Sequence, residues 1–166
     1  FKVVANLPYY ITTPIIMSLL ESKLPIERLV VMVQKEVAER MIAKPGTKMY
    51  GALSVAVQYY TDPYIVMDVP PKAFLPAPEV TSAVICCPLR SEPPVKVHSE
   101  AYFFRAVKAG FAQRRKTFSN TMKTTGLNKE AIEAILAKAN IDGSRRGETF
   151  TLDEFALIGN AWYELE

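Results

Sequence analysis

Four consecutive residues, Asn6-Leu7-Pro8-Tyr9, bring together groups that can hold a flat, amine-bearing ring. The Asn6 side chain offers an amide, Leu7 and Pro8 offer main-chain carbonyls, and Pro8 fixes its own backbone angle. Tyr9 adds a π-face. The four follow an apolar run at residues 2–5 that reads as a short buried strand, so they stand at a strand end. An exocyclic amine on a nucleobase is a poor nucleophile, because its lone pair is delocalised into the ring. Acceptors placed outside the ring plane favour a more tetrahedral nitrogen. The Asn6 oxygen and a carbonyl at Leu7 or Pro8 can play that part, by positioning and electrostatics rather than proton abstraction. Phe74 offers a second ring, on a loop stiffened by Pro70, Pro71, Pro76 and Pro78. Tyr9 and Phe74 can then grip an extruded base by its faces.

A second stretch carries charge. Between residues 101 and 129 lie Arg105, Lys108, Arg114, Arg115, Lys116, Lys123 and Lys129, with no Asp or Glu among them. The chain's net charge is +3, so a segment of +7 is set on a remainder of −4. Concentrated positive charge on an otherwise mildly acidic chain predicts a polyanion partner. Phe103, Phe104, Phe111 and Phe118 in the same segment strengthen that expectation. The candidate polyanion-binding residues are Arg105, Lys108, Arg114, Arg115, Lys116 and Lys123. His98, the only histidine, falls in a linker and is expected to be solvated. Cys86 and Cys87 are adjacent, a poor spacing for a metal pair or a disulfide, and read as small strand hydrophobes in a reducing compartment. No metal site is expected.

The elements that must position these groups follow from periodicity. After the first strand, Thr13-Pro14 reads as an N-cap and first-turn proline for a helix carrying Ile15, Ile16, Leu19 and Leu20, stopped by Pro25. Residues 29–33 form the next strand, 36–43 a helix ended by Pro45-Gly46, and Leu53, Ala56, Val57 and Tyr60 mark a further helix. The stretch 34–40 follows a strand end, on the ligand side of such a sheet. It is either part of a ligand-facing surface or simply a capped helix start, and Tyr50-Gly51 leaves the same choice. Residues 64–69 and 80–87 are β-rich. The pattern predicts a mostly parallel sheet with an antiparallel hairpin at its edge. The proline-rich stretch 88–99 reads as a linker, and everything beyond it as helix. Asn128 is placed to cap one helix, and Thr151-x-x-Glu154 forms a capping box for the last.

The strand-end tetrad resembles the (Asn/Asp)-(Leu/Pro/Ile)-Pro-(Tyr/Phe) motif of methyltransferases that act on amino groups. Phe74-Leu75-Pro76-Ala77-Pro78-Glu79-Val80-Thr81-Ser82 resembles the substrate-side loop of the ribosomal RNA adenine dimethyltransferases. Residues 111–120, Phe-Ala-Gln-Arg-Arg-Lys-Thr-Phe-Ser-Asn, are similar to the same family's accessory domain. The resemblance runs in order from Val3 to about Leu157. It implies an α/β fold, the second half of a Rossmann-like class I methyltransferase sheet at residues 1–90, followed by a small all-α RNA-binding domain at 91–166. It also implies an S-adenosyl-L-methionine-dependent transferase that dimethylates N6 of adjacent adenines in small-subunit rRNA during ribosome biogenesis. Asn6, Leu7, Pro8 and Tyr9 would be its catalytic residues, Tyr9 and Phe74 its base-stacking residues, and Asn6 its cofactor contact.

In that family the cofactor site lies mostly upstream, in a glycine-rich turn and two acidic positions that this sequence lacks. The chain therefore reads as a C-terminal portion, inactive alone. Its expected partner is small-subunit rRNA in the assembling small subunit, and it is expected to be a cytoplasmic monomer. Two alternatives stand beside this: a large-subunit adenine methyltransferase of the antibiotic-resistance type, and a non-catalytic rRNA-docking module. Composition agrees with a folded, non-membrane chain. Of its 166 residues 49% are hydrophobic, mean hydropathy is +0.07, and no apolar run approaches the ~18 residues of a membrane span. No signal-peptide pattern opens the sequence.

Overall fold

A computed structural model describes all residues, 1–166. The chain divides into two compact units, Phe1–Ala43 with Leu53–Pro93, and Lys44–Ala52 with Pro94–Glu166. The excursion Lys44–Ala52 thus belongs with the helical unit, although it lies within the stretch assigned by sequence to the first domain. Its reason is Tyr50, a fully buried ring whose hydroxyl donates to the Phe150 carbonyl at 2.7 Å.

The first unit is built on four strands, β1 (Lys2–Asn6), β2 (Arg28–Gln34), β3 (Tyr64–Val69) and β4 (Ser82–Pro88), in the order β1-β2-β4-β3. The β1–β2 pair is parallel, and β4 runs antiparallel to both β2 and β3. The expected hairpin forms one edge of the sheet, with β3 outermost, and because β4 is the strand that pairs with β2, only one of the three pairs is parallel. Composition explains the placement. Ala83, Ile85, Cys86 and Cys87 are buried and suit an interior strand, whereas β3 exposes Tyr64, Val66 and Met67 and suits an edge. On β2, Leu29, Val31 and Val33 alternate inward at the strand period and meet Ala83, Ile85 and Cys87 in one core. Both thiols are free, and burial pushes that of Cys87 up to about 12.

Three helices accompany the sheet: α1 (Thr12–Glu21), α2 (Lys35–Ile42) and α3 (Ala52–Tyr60). Ile16 and Leu20, Ala38 and Met41, and Val57 are their buried contributions to this core. Thr13 does not cap α1. A 3-10 turn, Tyr9–Ile11, leads directly from the tetrad into the helix, and the Thr12 hydroxyl donates back to the Pro8 carbonyl at 3.0 Å. The tetrad is therefore welded to the first turn of α1.

The second unit comprises α4 (Glu100–Gly110), α5 (Phe118–Thr121), α6 (Lys129–Ala139) and α7 (Leu152–Leu165). Asn128 caps α6 by accepting from the Ala131 N–H at 2.8 Å, and Thr151 and Glu154 form the capping box of α7. Asn140 ends α6 in the left-handed conformation, φ 57°. The core is aromatic. Phe118 and Phe150 lie 5.0 Å apart, Phe150 and Phe155 5.5 Å, and Phe111 packs 5.8 Å from both Tyr50 and Phe155. Phe103 and Phe118 are fully buried. These rings hold the helices together, so their presence in the basic segment reflects core packing. Alternation with basic residues arises here because the buried and solvated faces of one segment interleave. No helix is long and apolar enough to cross a membrane.

Candidate functional site

Strand direction decides where the site lies. β1 and β2 run parallel and β3 antiparallel to β4, so β1, β2 and β3 end, and β4 begins, at one end of the sheet. In register, Asn6 pairs with Met32, and Ser82 pairs with Gln34 on one side and Val69 on the other. The tetrad leaving β1 and the loop entering β4 therefore converge. They enclose a cleft of about 270 Å³ lined by Asn6, Leu7, Pro8, Tyr9, Phe74, Pro76 and Pro78. Every residue assigned from sequence to the base-handling site is in that lining. Asn6 is exposed, Tyr9 and Phe74 are half-buried, and Leu7 is buried in the core beneath them.

The lining has a definite chemical character. It contains no Lys, Arg, His, Asp or Glu, only an amide, main-chain carbonyls, a phenol and apolar walls. The Pro8 carbonyl already accepts from the Ile11 N–H at 3.2 Å and from the Thr12 hydroxyl at 3.0 Å. The Tyr9 hydroxyl is hydrogen-bonded to Ser82, a fully buried side chain at the first position of β4. Phe74 ends a short 3-10 turn, Pro71–Ala73, with its N–H bonded to the Pro71 carbonyl at 3.1 Å. The Leu75–Pro76 peptide that follows is cis.

Beside the loop, Lys35 at the start of α2 donates its main-chain N–H to Thr81 at 2.9 Å and its ammonium to Asp68 of β3 at 2.9 Å. The Asp68 carboxylate holds the Lys35 ammonium above its ordinary pKa. Both side chains are open to solvent, so this surface clip contributes little to stability. Within the stretch 34–40, Lys35 thus has a structural partner, and Arg40 pairs with Glu36 one helical turn away at 3.0 Å.

Sequence inspection missed Ser82, although it closes the quoted loop motif. Its signal was position, a hydroxyl at the entry of an apolar strand. The doubly engaged Pro8 carbonyl had no signal, because Thr12 bonds back over four residues only once the turn has formed.

In the helical unit the candidate RNA-binding residues separate into two groups. Lys108, Arg115, Lys116 and Lys123 are exposed and carry no ion pair. Arg114 is engaged by the fold. Its guanidinium donates to the carbonyls of Lys48 and Tyr50, the latter at 3.2 Å, and faces Glu148 at 3.6 Å. Arg105 lies over the Tyr102 ring at 4.6 Å and 4.0 Å from Glu166. His98 is exposed, as expected, with its ring 3.1 Å from Glu164 and its main-chain N–H donating to the Asn160 side chain at 2.9 Å.

A family model described as "Ribosomal RNA adenine dimethylase" matches residues 1–157. Ribosomal RNA small subunit methyltransferase A of Geobacillus sp. (strain WCH70) is 58% identical over 163 residues, covering 96% of this chain and 56% of its own length. The chain thus spans about half the length of the curated relatives it matches. Among solved structures, a dimethyladenosine transferase from Plasmodium falciparum superposes with a TM-score of 0.78 at 22% identity, over 95% of this chain and 64% of that one. The 23S rRNA methyltransferase ErmE gives 0.67 at 22% identity, over 98% and 65%. The two likenesses establish a class I methyltransferase fold. With the tetrad, the proline loop and the helical unit all inside the matched span, the chain belongs to the ribosomal RNA adenine dimethylase family.

Proposed function

We propose that this chain is the base-handling half of an S-adenosyl-L-methionine-dependent enzyme that dimethylates N6 of adjacent adenines in small-subunit rRNA. The observation that carries the reading is the convergence of Asn6, Tyr9 and Phe74 on one uncharged cleft of about 270 Å³. A flipped adenine enters between Tyr9 and Phe74, each stacked ring contributing roughly 1–3 kcal/mol. The Asn6 oxygen accepts one amine hydrogen. We assign the second acceptor to the Leu7 carbonyl, because that of Pro8 is already shared by Ile11 and Thr12. Pro8 and Thr12 serve by fixing the turn. Together the acceptors turn the nitrogen lone pair out of the ring plane, and water takes the surplus proton after transfer.

The residues present fit a sulfonium cofactor, since no cationic side chain lines the cleft and the only side-chain polar groups in its lining are the Asn6 amide and the Tyr9 phenol. Asn6 is the residue of this chain that would contact the cofactor. When bound, S-adenosyl-L-methionine supplies the electrophilic methyl group.

Lys108, Arg115, Lys116 and Lys123 are the phosphate contacts we assign, with Arg105 and Arg114 oriented by their own partners. The free buried cysteines support a reducing cytoplasm, where the enzyme would act as a monomer on the assembling small subunit. The level of identity to a small-subunit enzyme, against 22% to the 23S enzyme, favours the small-subunit target. The test is the intact protein incubated with labelled cofactor and unmethylated small and large subunits, with nucleosides resolved by mass spectrometry. Two neighbouring dimethyladenosines in the small subunit are expected. Labelling confined to the large subunit, or none, would overturn the proposal.

A further inference from the structure

Tyr9 has more than a ring. Its hydroxyl is hydrogen-bonded to that of Ser82, and Ser82 is held in the sheet from both sides. It pairs with Gln34 of β2 and with Val69 of β3, and its side chain is fully buried. The Tyr9 main chain is fixed just as firmly, in the turn that the Ile11 N–H and the Thr12 hydroxyl close onto Pro8. A tyrosine side chain has two free torsions. With its Cα fixed in a turn and its phenol oxygen tied to a strand, both are determined, and so is the plane of the ring. Base stacking itself needs no hydroxyl, since the face of a phenylalanine serves as well. The hydroxyl is therefore available for another task.

We propose that Ser82 is a positioning residue: through its hydrogen bond to Tyr9 it sets the tilt of the stacking ring, and so the direction in which the base amine points. The inference rests on the reading of the cleft as an adenine site. A base held between two rings can still swivel with either of them. Phe74 follows the 3-10 turn Pro71–Ala73, which its N–H closes onto Pro71, and has no polar tip to anchor. Tyr9 is the wall with a fixed plane, and the amine must meet the Asn6 oxygen and a carbonyl together for its lone pair to point outward. Loss of the anchor leaves the base bound but misdirected, which slows transfer with little change in RNA affinity. The same bond couples the two sequence motifs, since Tyr9 closes the tetrad and Ser82 closes the proline loop.

The test uses the intact protein with Tyr9→Phe, Ser82→Ala and the double variant. Tyr9→Phe removes one oxygen from a half-buried position and leaves the stacking face, so it carries the test if Ser82→Ala folds poorly. Single-turnover methyl transfer should fall roughly 3- to 10-fold in each single variant, the range set by one net hydrogen bond. RNA dissociation constants should stay within about twofold. The double variant should be no slower than the slower single one, because both remove one interaction. With 2-aminopurine in place of the target adenine, fluorescence in the variants should report a base still extruded but more mobile. A wild-type rate in Tyr9→Phe, or single losses that multiply in the double variant, would overturn the positioning role while leaving the adenine site standing. A wild-type protein that methylates no adenine would overturn both.

Discussion

Phe74 and Tyr9 flank the cleft, yet they are held differently, and substitutions should separate them. Phe74→Ala removes a stacking face and should weaken binding of an RNA carrying the target loop by roughly 1–3 kcal/mol, read by titration of the intact protein. A loss well below that would mean the loop ring is packing only. In the helical unit, Arg145 binds the Glu154 carboxylate through both guanidinium nitrogens, one at 3.1 Å, and its guanidinium lies 4.5 Å from the Phe150 ring centroid. Arg145 holds the Glu154 carboxyl below its ordinary value of 4.5. The folded value is the lower one. The stabilisation is therefore complete above the unfolded pKa and is lost as pH falls through the folded one. Thermal melts should show wild type losing more stability than Glu154→Gln between about pH 5 and pH 3. Parallel curves would show that the pair contributes nothing. These residue-scale features were unevenly legible. Asn6, Tyr9 and Phe74 stand out because polar and aromatic types interrupt apolar runs. The Arg145–Glu154 pair does not, because it joins a loop residue to the capping box of α7, and nothing in the intervening residues marks that closure.

At the scale of elements, α4 and α7 pack through Gly159. A Cβ there would stand 2.9 Å from the Phe103 Cα and 3.0 Å from its nitrogen, both main-chain atoms with no freedom to withdraw. Gly159→Ala should lower the stability of the helical unit by roughly 1–3 kcal/mol, measured by denaturant unfolding, despite alanine's better helix propensity. An unchanged or raised midpoint would mean the helices separate at no cost. The helices of this unit were readable because their caps are local: Asn128 and Thr151 act on N–H groups three residues away. The edge hairpin was legible, but that β4 rather than β3 pairs with β2 was not, for the opposite reason. Strand order is fixed by which faces must be covered across the whole sheet, and the apolar run at 83–87 shows that a strand is buried without saying between which neighbours. The burial of Phe103 and Phe118 was not legible either, since an aromatic beside an arginine looks alike whether it faces core or solvent.

For the whole molecule, the partition of the basic residues makes a separable prediction. Lys108, Arg115, Lys116 and Lys123 are unpaired, so each removed singly should make the salt dependence of rRNA binding shallower by roughly 0.7–0.9 in log–log slope. Arg114→Ala should instead lower the melting temperature, since its guanidinium holds the carbonyls of Lys48 and Tyr50. A flat salt response of the parent protein would count against RNA docking altogether. The division into units was only partly visible, because Lys44–Ala52 looks like a loop between two helices and joins the second unit through the buried Tyr50 hydroxyl. The most direct test concerns Asn6. In the intact protein, Asn6→Ala should lower the rate of adenine methylation on the order of 10²-fold or more, the scale of losing one aimed polar contact, with rRNA affinity and melting temperature unchanged. Rate and affinity falling together would contradict an acceptor that points the amine, and would make Asn6 a prop for the turn.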